Sequence, residues 1–115
     1  MKILNASRGT LLATDAEQAL TLEARTRGLI GRAGLATGQA LWLIPCSSIT
    51  TAHITFPIDI VFVSRDGTIT GGRHHVRPGR SVIAASKEAY SAIELPAGTI
   101  ESTGTEVGDK IMRKP

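Results

Sequence analysis

Glycine recurs so often along this chain that long helices have little room to form. Twelve glycines divide 115 residues. Short apolar runs lie between them, such as ALWLI at 40–44 and IDIVFV at 58–63. Runs of this length, bounded by turn residues, are typical of β-strands. The sequence therefore predicts a mainly β fold, a small barrel-like or sandwich-like antiparallel or mixed sheet with one or two short helices.

The first helix is predicted within ALTLEARTRGLIGR at 19–32, where Thr21 can cap it. Four residues at helical spacing would share one face of this helix, namely Leu22, Thr26, Leu29 and Ile30. The preceding segment alternates in polarity, so we expect a strand up to about Leu20. A longer helix from Asp15 is the alternative, because TDAE reads as a capping box.

Turn residues predict two hairpins and a second helix. The DG pair at 66–67 favours a tight hairpin turn, and the PG pair at 78–79 fits a type II turn in the second hairpin. The stretch PAGTIESTG predicts a short helix that begins at Pro96 and ends at Gly104.

Length, net charge and aromatic content predict a single domain and argue against a nucleic-acid-binding protein. A chain of 115 residues has room for one hydrophobic core, so we predict a single domain over residues 1–115. The net charge is +3 and aromatic residues make up 3% of the chain. The basic surface with stacking aromatics that nucleic-acid binders use is therefore not expected.

Neither export nor metal binding is indicated by the sequence. No apolar run approaches the ~20 residues that a membrane-spanning helix needs. The start, MKILNASRGTLLATD, lacks the apolar region of a signal peptide, so a cytoplasmic location is expected unless a leader has been removed. A single cysteine, Cys46, allows no intrachain disulfide and no multi-cysteine metal site. We predict no metal and no cofactor.

Asp59 is a carboxylate in the most apolar stretch of the chain, IDIVFV. If this stretch is a strand, Asp59 shares its face with Val61 and Val63, and we expect it to be at least half buried. A buried carboxylate needs a partner. Arg27 or Arg32 is expected to supply an ion pair that fastens the first helix to the sheet. The alternative is a ligand-binding or catalytic carboxylate.

Two further groups of residues could carry chemistry. Glu94 ends a predicted strand and could form a two-carboxylate hydrolase site with Asp59, although it could also simply bind an arginine. Cys46 and His53 could act as nucleophile and base. However, their spacing would place them on opposite sides of a continuous strand. Cys46 is therefore expected to be a small buried residue.

Five segments occur in an order that is similar to a known family: TRGLIGR at 26–32, PCSSI at 45–49, FPIDIVFVSRDG at 56–67, IELPAG at 93–98 and VGDKI at 107–111. This ordered set resembles the microbial family called domain of unknown function 192. The resemblance implies a compact β-rich fold with one or two short helices, and it implies no activity. One branch of the family has a histidine, an aromatic and a basic residue where this chain has Thr50, Ala52 and Thr55.

These observations favour a binding module over an enzyme. The ligand would be a small polar molecule, a carbohydrate or an anion, or else a protein partner. The groove would be edged by Asp59, Arg27 and residues 46–55, with His53 and Glu94 as further ligand-binding candidates. A hydrolase that uses Asp59 and Glu94 is the alternative. A third hypothesis is a structural accessory that docks through an exposed strand edge.

Overall fold

The computed structural model describes residues 1–80 and 84–115, which form ten strands and two short helices. In chain order the elements are β1 (Lys2–Asn5), β2 (Thr10–Ala13), β3 (Asp15–Ala19), α1 (Leu22–Arg27), β4 (Gln39–Leu43), β5 (Ser48–Ile49), β6 (Ile58–Val63), β7 (Ile69–Val76), β8 (Ala84–Ala85), β9 (Ser91–Pro96), α2 (Thr99–Thr103) and β10 (Ile111–Lys114).

The strands form two main sheets. One has five strands in the order β3-β4-β9-β6-β7, in which β3 and β4 are parallel and the other neighbours are antiparallel. The other has three antiparallel strands in the order β10-β1-β2, and β5 pairs with β8. The predicted mainly β fold with a mixed sheet and two short helices is confirmed, and the described strands do not close into a barrel.

The central strands β6 and β9 are buried on both faces, and their alternate side chains enter two hydrophobic clusters. The first cluster includes Val61, Val63, Ile93, Leu95 and Ile100. The second cluster includes Leu29, Ile58, Ile60, Phe62 and Ala92. A step of one residue along β6 or β9 therefore moves a side chain from one cluster to the other.

Asp59 is fully buried on the face of β6 that points to the first cluster. Its carboxylate accepts three backbone hydrogen bonds, from the N–H groups of His75 at 2.8 Å, Gly98 at 3.1 Å and Ile100 at 2.9 Å. The first donor lies on β7, and the other two lie at the start of α2. Charge-assisted bonds to backbone N–H groups satisfy a carboxylate without a cation, so Asp59 fastens α2 and β7 to β6.

The predicted ion pair between Asp59 and Arg27 or Arg32 is wrong. Arg27 pairs with Glu23 at 2.8 Å, and Arg32 pairs with Glu17 at 2.7 Å. The physical reason is the alternation of the sheet. The segment that follows α1 packs its buried side chain into the second cluster, whereas Asp59 points to the first cluster.

Helix α1 is capped as predicted but is shorter and less buried. The Thr21 hydroxyl accepts a hydrogen bond from the N–H of Ala24 at 3.0 Å, and the strand before the helix ends at Ala19. Gly28 ends the helix, with φ 48° and ψ −125°, a conformation that favours glycine. The expected shared face is wrong because the helix ends at Arg27, before Leu29 and Ile30; no residue of α1 is buried, and Leu22 is exposed.

The predicted turns and the second helix are present, with one change. The DG pair at 66–67 joins β6 to β7, and Gly67 has φ 89°. Helix α2 ends at Gly104, but Pro96 belongs to β9. Gly79 has the positive φ that the second turn requires, and the strand expected after it falls partly on residues 81–83, which lie outside the described residues. Neither described helix is long and apolar enough to cross a membrane.

We expect the substitution Asp59→Ala to lower the free energy of unfolding by about 3 kcal/mol, because it leaves three backbone N–H groups without their acceptor. Urea denaturation checks this value. Glu101→Ala, at an exposed site on α2, is the matched control and should change stability by less than about 0.5 kcal/mol. Equal stability of the two variants would contradict the anchoring role of Asp59.

Candidate functional site

A cavity of about 330 Å³ opens beside the second cluster. Four separate parts of the chain surround it: residues 25–30, the end of β4, residues 45–54 and β9. The lining residues that matter for its chemistry are Arg25, Arg27, Gly28, Leu43, Cys46, Ile49, Thr50, His53, Ile54 and Glu94. Apolar walls with a few polar groups are typical of small-molecule sites.

Glu94 forms the acidic part of this cavity. It lies on β9, in register with Leu41 of β4 and Ile60 of β6, and it is 2% exposed. Its Oε1 atom has no hydrogen-bond partner among the described residues. Burial raises the pKa of Glu94 to about 7, and the charge of Arg32 opposes that rise. A carboxyl group therefore lines an apolar cavity with one oxygen unsatisfied.

Gly28 brings the backbone after α1 close to Glu94. A Cβ atom on Gly28 would lie 3.7 Å from Glu94 Oε1. The next residue, Leu29, is 1% exposed and packs in the second cluster. The end of α1 thus forms one wall of the cavity, and Leu29 anchors that wall to the sheet.

Arg25 is held in place by backbone carbonyl groups. Its Nη1 atom donates to the carbonyl oxygen of Leu20 at 2.7 Å and to that of Ile44 at 3.3 Å. Arg27 also lines the cavity, but its side chain is 67% exposed and pairs with Glu23. Of the two arginines, Arg25 is the one whose position is fixed by the fold.

Cys46 places a thiol in the same cavity wall as Glu94 and Arg25. Its Sγ donates to the carbonyl oxygen of Ser48 at 3.1 Å. Burial raises the pKa of Cys46, and the charge of Glu94 raises it further, while the Ser48 bond and the charge of Arg25 lower it. A raised pKa keeps the sulfur protonated near neutral pH, so Cys46 is not an activated nucleophile here.

The expectation that Cys46 and His53 face opposite sides of a strand is wrong. Strand β5 ends at Ile49, and the chain then turns: the N–H of Ile54 donates to the carbonyl oxygen of Thr51 at 3.1 Å. Both Cys46 and His53 therefore line the same cavity.

The structure brings three of the four predicted ligand-binding residues to one cavity: Arg27, His53 and Glu94. Asp59 is not among the lining residues. In the pairing of β6 with β9, Asp59 lies opposite Leu95 and Ile60 lies opposite Glu94. Asp59 and Glu94 are therefore on opposite faces of the sheet, and a hydrolase site that uses this pair of carboxylates is wrong.

Sequence reasoning missed three residues of this site: Arg25, Gly28 and Leu43. Arg25 has a weak sequence signal, since it lies in the last turn of the helix that Thr21 caps. The sequence pattern marks Gly28 only as the residue that ends that helix. Within residues 1–80 and 84–115, no three His, Cys, Asp or Glu side chains are placed to hold a metal ion.

Comparison with known proteins assigns this chain to a family. The model of the DUF192 family, described as Uncharacterized ACR, matches residues 3–112. The chain belongs to the DUF192 family. This confirms the resemblance seen in the ordered sequence segments. No curated protein matches this DUF192 chain.

Two solved structures are similar to this DUF192 chain. One is a protein of unknown function from Novosphingobium aromaticivorans, with a TM-score of 0.85 and 19% identity, covering 97% of this chain and 82% of that one. The other, from Sinorhizobium meliloti, is described as a candidate transcription regulator, with a TM-score of 0.83 and 25% identity, covering 96% of this chain and 89% of that one.

The stability of this DUF192 chain should fall with pH because of Glu94. A pKa of about 7 in the folded chain lies above the ordinary value of an unfolded glutamate. The folded state therefore holds the proton more tightly. The stability that this gives is fully present below the ordinary pKa and is lost as the pH rises through about 7.

We expect the free energy of unfolding to fall by on the order of 3 kcal/mol from about pH 4.5 to pH 8, relative to Glu94→Gln. Chemical denaturation of both proteins across this range measures the difference. Parallel stability profiles for the two proteins would show that Glu94 ionises normally.

Proposed function

We propose that this DUF192 chain is a binding module for a small polar ligand, which occupies the cavity at Glu94. The observation that carries the proposal is the unpartnered Oε1 atom of a carboxyl group that is 2% exposed. Leaving a buried polar group unsatisfied costs about 1–3 kcal/mol, and more if it is charged. A ligand that bonds to Glu94 would offset this cost, and perturbed acids of this kind cluster at functional sites.

The shape of the site supports a small molecule over a protein partner. A cavity of about 330 Å³ is large enough for a small organic molecule. A stable protein interface would instead cover roughly 800 Å² on each partner. The apolar residues Leu43, Ile49 and Ile54 would contact the body of the ligand, and Glu94 would orient it.

Binding is favoured over catalysis by the state of the reactive groups. The raised pKa of Cys46 keeps it a thiol. The second candidate carboxylate, Asp59, lies on the other face of the sheet, where it accepts three hydrogen bonds from backbone N–H groups. Residues 45–54 include Thr50 and His53 in the cavity wall. Two of the three positions at which the chain departs from one branch of its family, Thr50 and Ala52, lie in this segment, which supports a ligand preference particular to this chain.

The proposal is tested by thermal-shift screening against monosaccharides, sugar acids, organic acids and amino compounds, followed by titration calorimetry of each compound that binds. We expect a ligand to raise the melting temperature of the natural chain and to bind Glu94→Leu at least about tenfold more weakly. At about pH 8, unliganded Glu94→Leu should be more stable than the natural chain, because it removes a desolvated charge.

The exposed variant Glu88→Leu is the control for loss of one carboxylate, and it should bind as the natural chain does. Compounds that bind Glu94→Leu and the natural chain equally would show that the cavity at Glu94 is not their site. That result would overturn the proposal.

A further inference from the structure

Two groups of opposite charge line the same cavity without pairing with each other. Glu94 and Arg25 both belong to its wall. Among the described residues, the ion pairs with N···O distances of 4.0 Å or less include neither of them. The charge of Arg32 lowers the pKa of Glu94, but Arg32 is paired with Glu17 and is not a lining residue of the cavity.

The position of Arg25 is maintained by its bonds to the carbonyl oxygens of Leu20 and Ile44, both through Nη1. Its remaining guanidinium nitrogens donate to no described residue. Glu94 is held by the strand register, since β9 lies between β4 and β6. Each side chain keeps hydrogen-bonding capacity for a ligand: Glu94 through Oε1, and Arg25 through the nitrogens other than Nη1.

Cys46 lies in the wall of the same cavity as Glu94 and Arg25. The charge of Glu94 raises the pKa of its thiol and that of Arg25 lowers it, so both groups lie within electrostatic reach of the same sulfur. Apolar residues line the rest of this space, among them Leu43 and Ile54. The cavity thus has an acidic side, a basic side and an apolar wall.

We infer that the ligand of this cavity is a zwitterionic small molecule of the amino-acid class, with its ammonium group on Glu94 and its carboxylate on Arg25. The inference rests on the proposed function and names its ligand class. An ammonium group satisfies the Oε1 atom that has no partner in the described chain. A carboxylate matches the guanidinium donors that remain. An apolar side chain would fill the space between Leu43 and Ile54.

Other ligand classes satisfy only one side of the cavity. The hydroxyl groups of a neutral monosaccharide could bond to Glu94 but would leave the charge of Arg25 unmatched. A simple anion could bind Arg25 but would face the carboxyl group of Glu94, which carries a negative charge above about pH 7. A zwitterion is the class that complements both charges together.

The test compares three matched probes by titration calorimetry at about pH 8: leucine, 3-methylbutylamine, which lacks its carboxylate, and 4-methylpentanoate, which lacks its ammonium group. Glycine, β-alanine and 4-aminobutanoate extend the comparison to zwitterions of different length. We expect at least one zwitterion to bind about tenfold or more tightly than its amine-only and acid-only analogues.

Two variants test which charged group of the ligand binds Glu94 and which binds Arg25. In Glu94→Gln the zwitterion should lose its advantage over the acid-only probe, and in Arg25→Gln it should lose its advantage over the amine-only probe. Arg25→Lys, which keeps the positive charge, should retain part of the carboxylate preference even if Arg25→Gln is poorly folded. Arg73→Gln is the control for loss of charge, because the Arg73 side chain, within residues 1–80 and 84–115, donates only to the carbonyl oxygen of Gly72 and lies outside the cavity.

The outcomes separate this inference from the proposed function. Zwitterions that bind no more tightly than their one-charge analogues would overturn the inference. If a monosaccharide such as glucose then bound in a manner that Glu94→Leu abolished, the binding module would stand and its ligand would be a carbohydrate. If none of the probes bound in a manner sensitive to Glu94, both the inference and the assignment of the cavity would be wrong.

Discussion

The carboxylate of Asp59 is the junction on which the arrangement of this chain depends. Three backbone N–H groups from β7 and from the start of α2 converge on it inside the protein. These bonds set the first turn of α2, which places Ile100 in the first cluster. Because this fastening uses backbone donors on one face of the sheet, no side chain from the opposite face is needed to neutralise it. Arg25 and Arg27 of α1 instead line the cavity on the other side of the sheet.

The cavity on that other side departs from the rule that buried polar groups are satisfied. Glu94 lines the same cavity as Arg25 without an ion pair, and its desolvation raises its pKa and so weakens the folded state at high pH. The fully buried strands β6 and β9 supply enough apolar contact to carry this cost. A local loss of stability that the rest of the fold compensates is a known trade-off at functional sites.

Local signals in the sequence predicted the local structure well. The alternation of IDIVFV, the cap at Thr21 and the DG turn were all confirmed. The partners of Asp59 could not be predicted, because backbone N–H donors exist at nearly every residue and leave no sequence pattern. The opposite faces of Asp59 and Glu94 depend on the register of β6 with β9, which turns and apolar runs alone do not fix. The cavity joins four distant segments, and no single motif spans them.

The double burial of β6 and β9 makes the sheet a partition between a frame on one side and a chamber, the cavity at Glu94, on the other. Side chains on the frame side keep α2 and the three-stranded sheet in place. Substitutions at Thr50, His53 or Ala92 act on the other side, where they reshape the chamber or its wall without touching that frame. Relatives that share 19% identity can therefore superpose with a TM-score of 0.85. Divergence of the residues that line the cavity needs no change in architecture, because the two faces of one sheet can evolve almost independently.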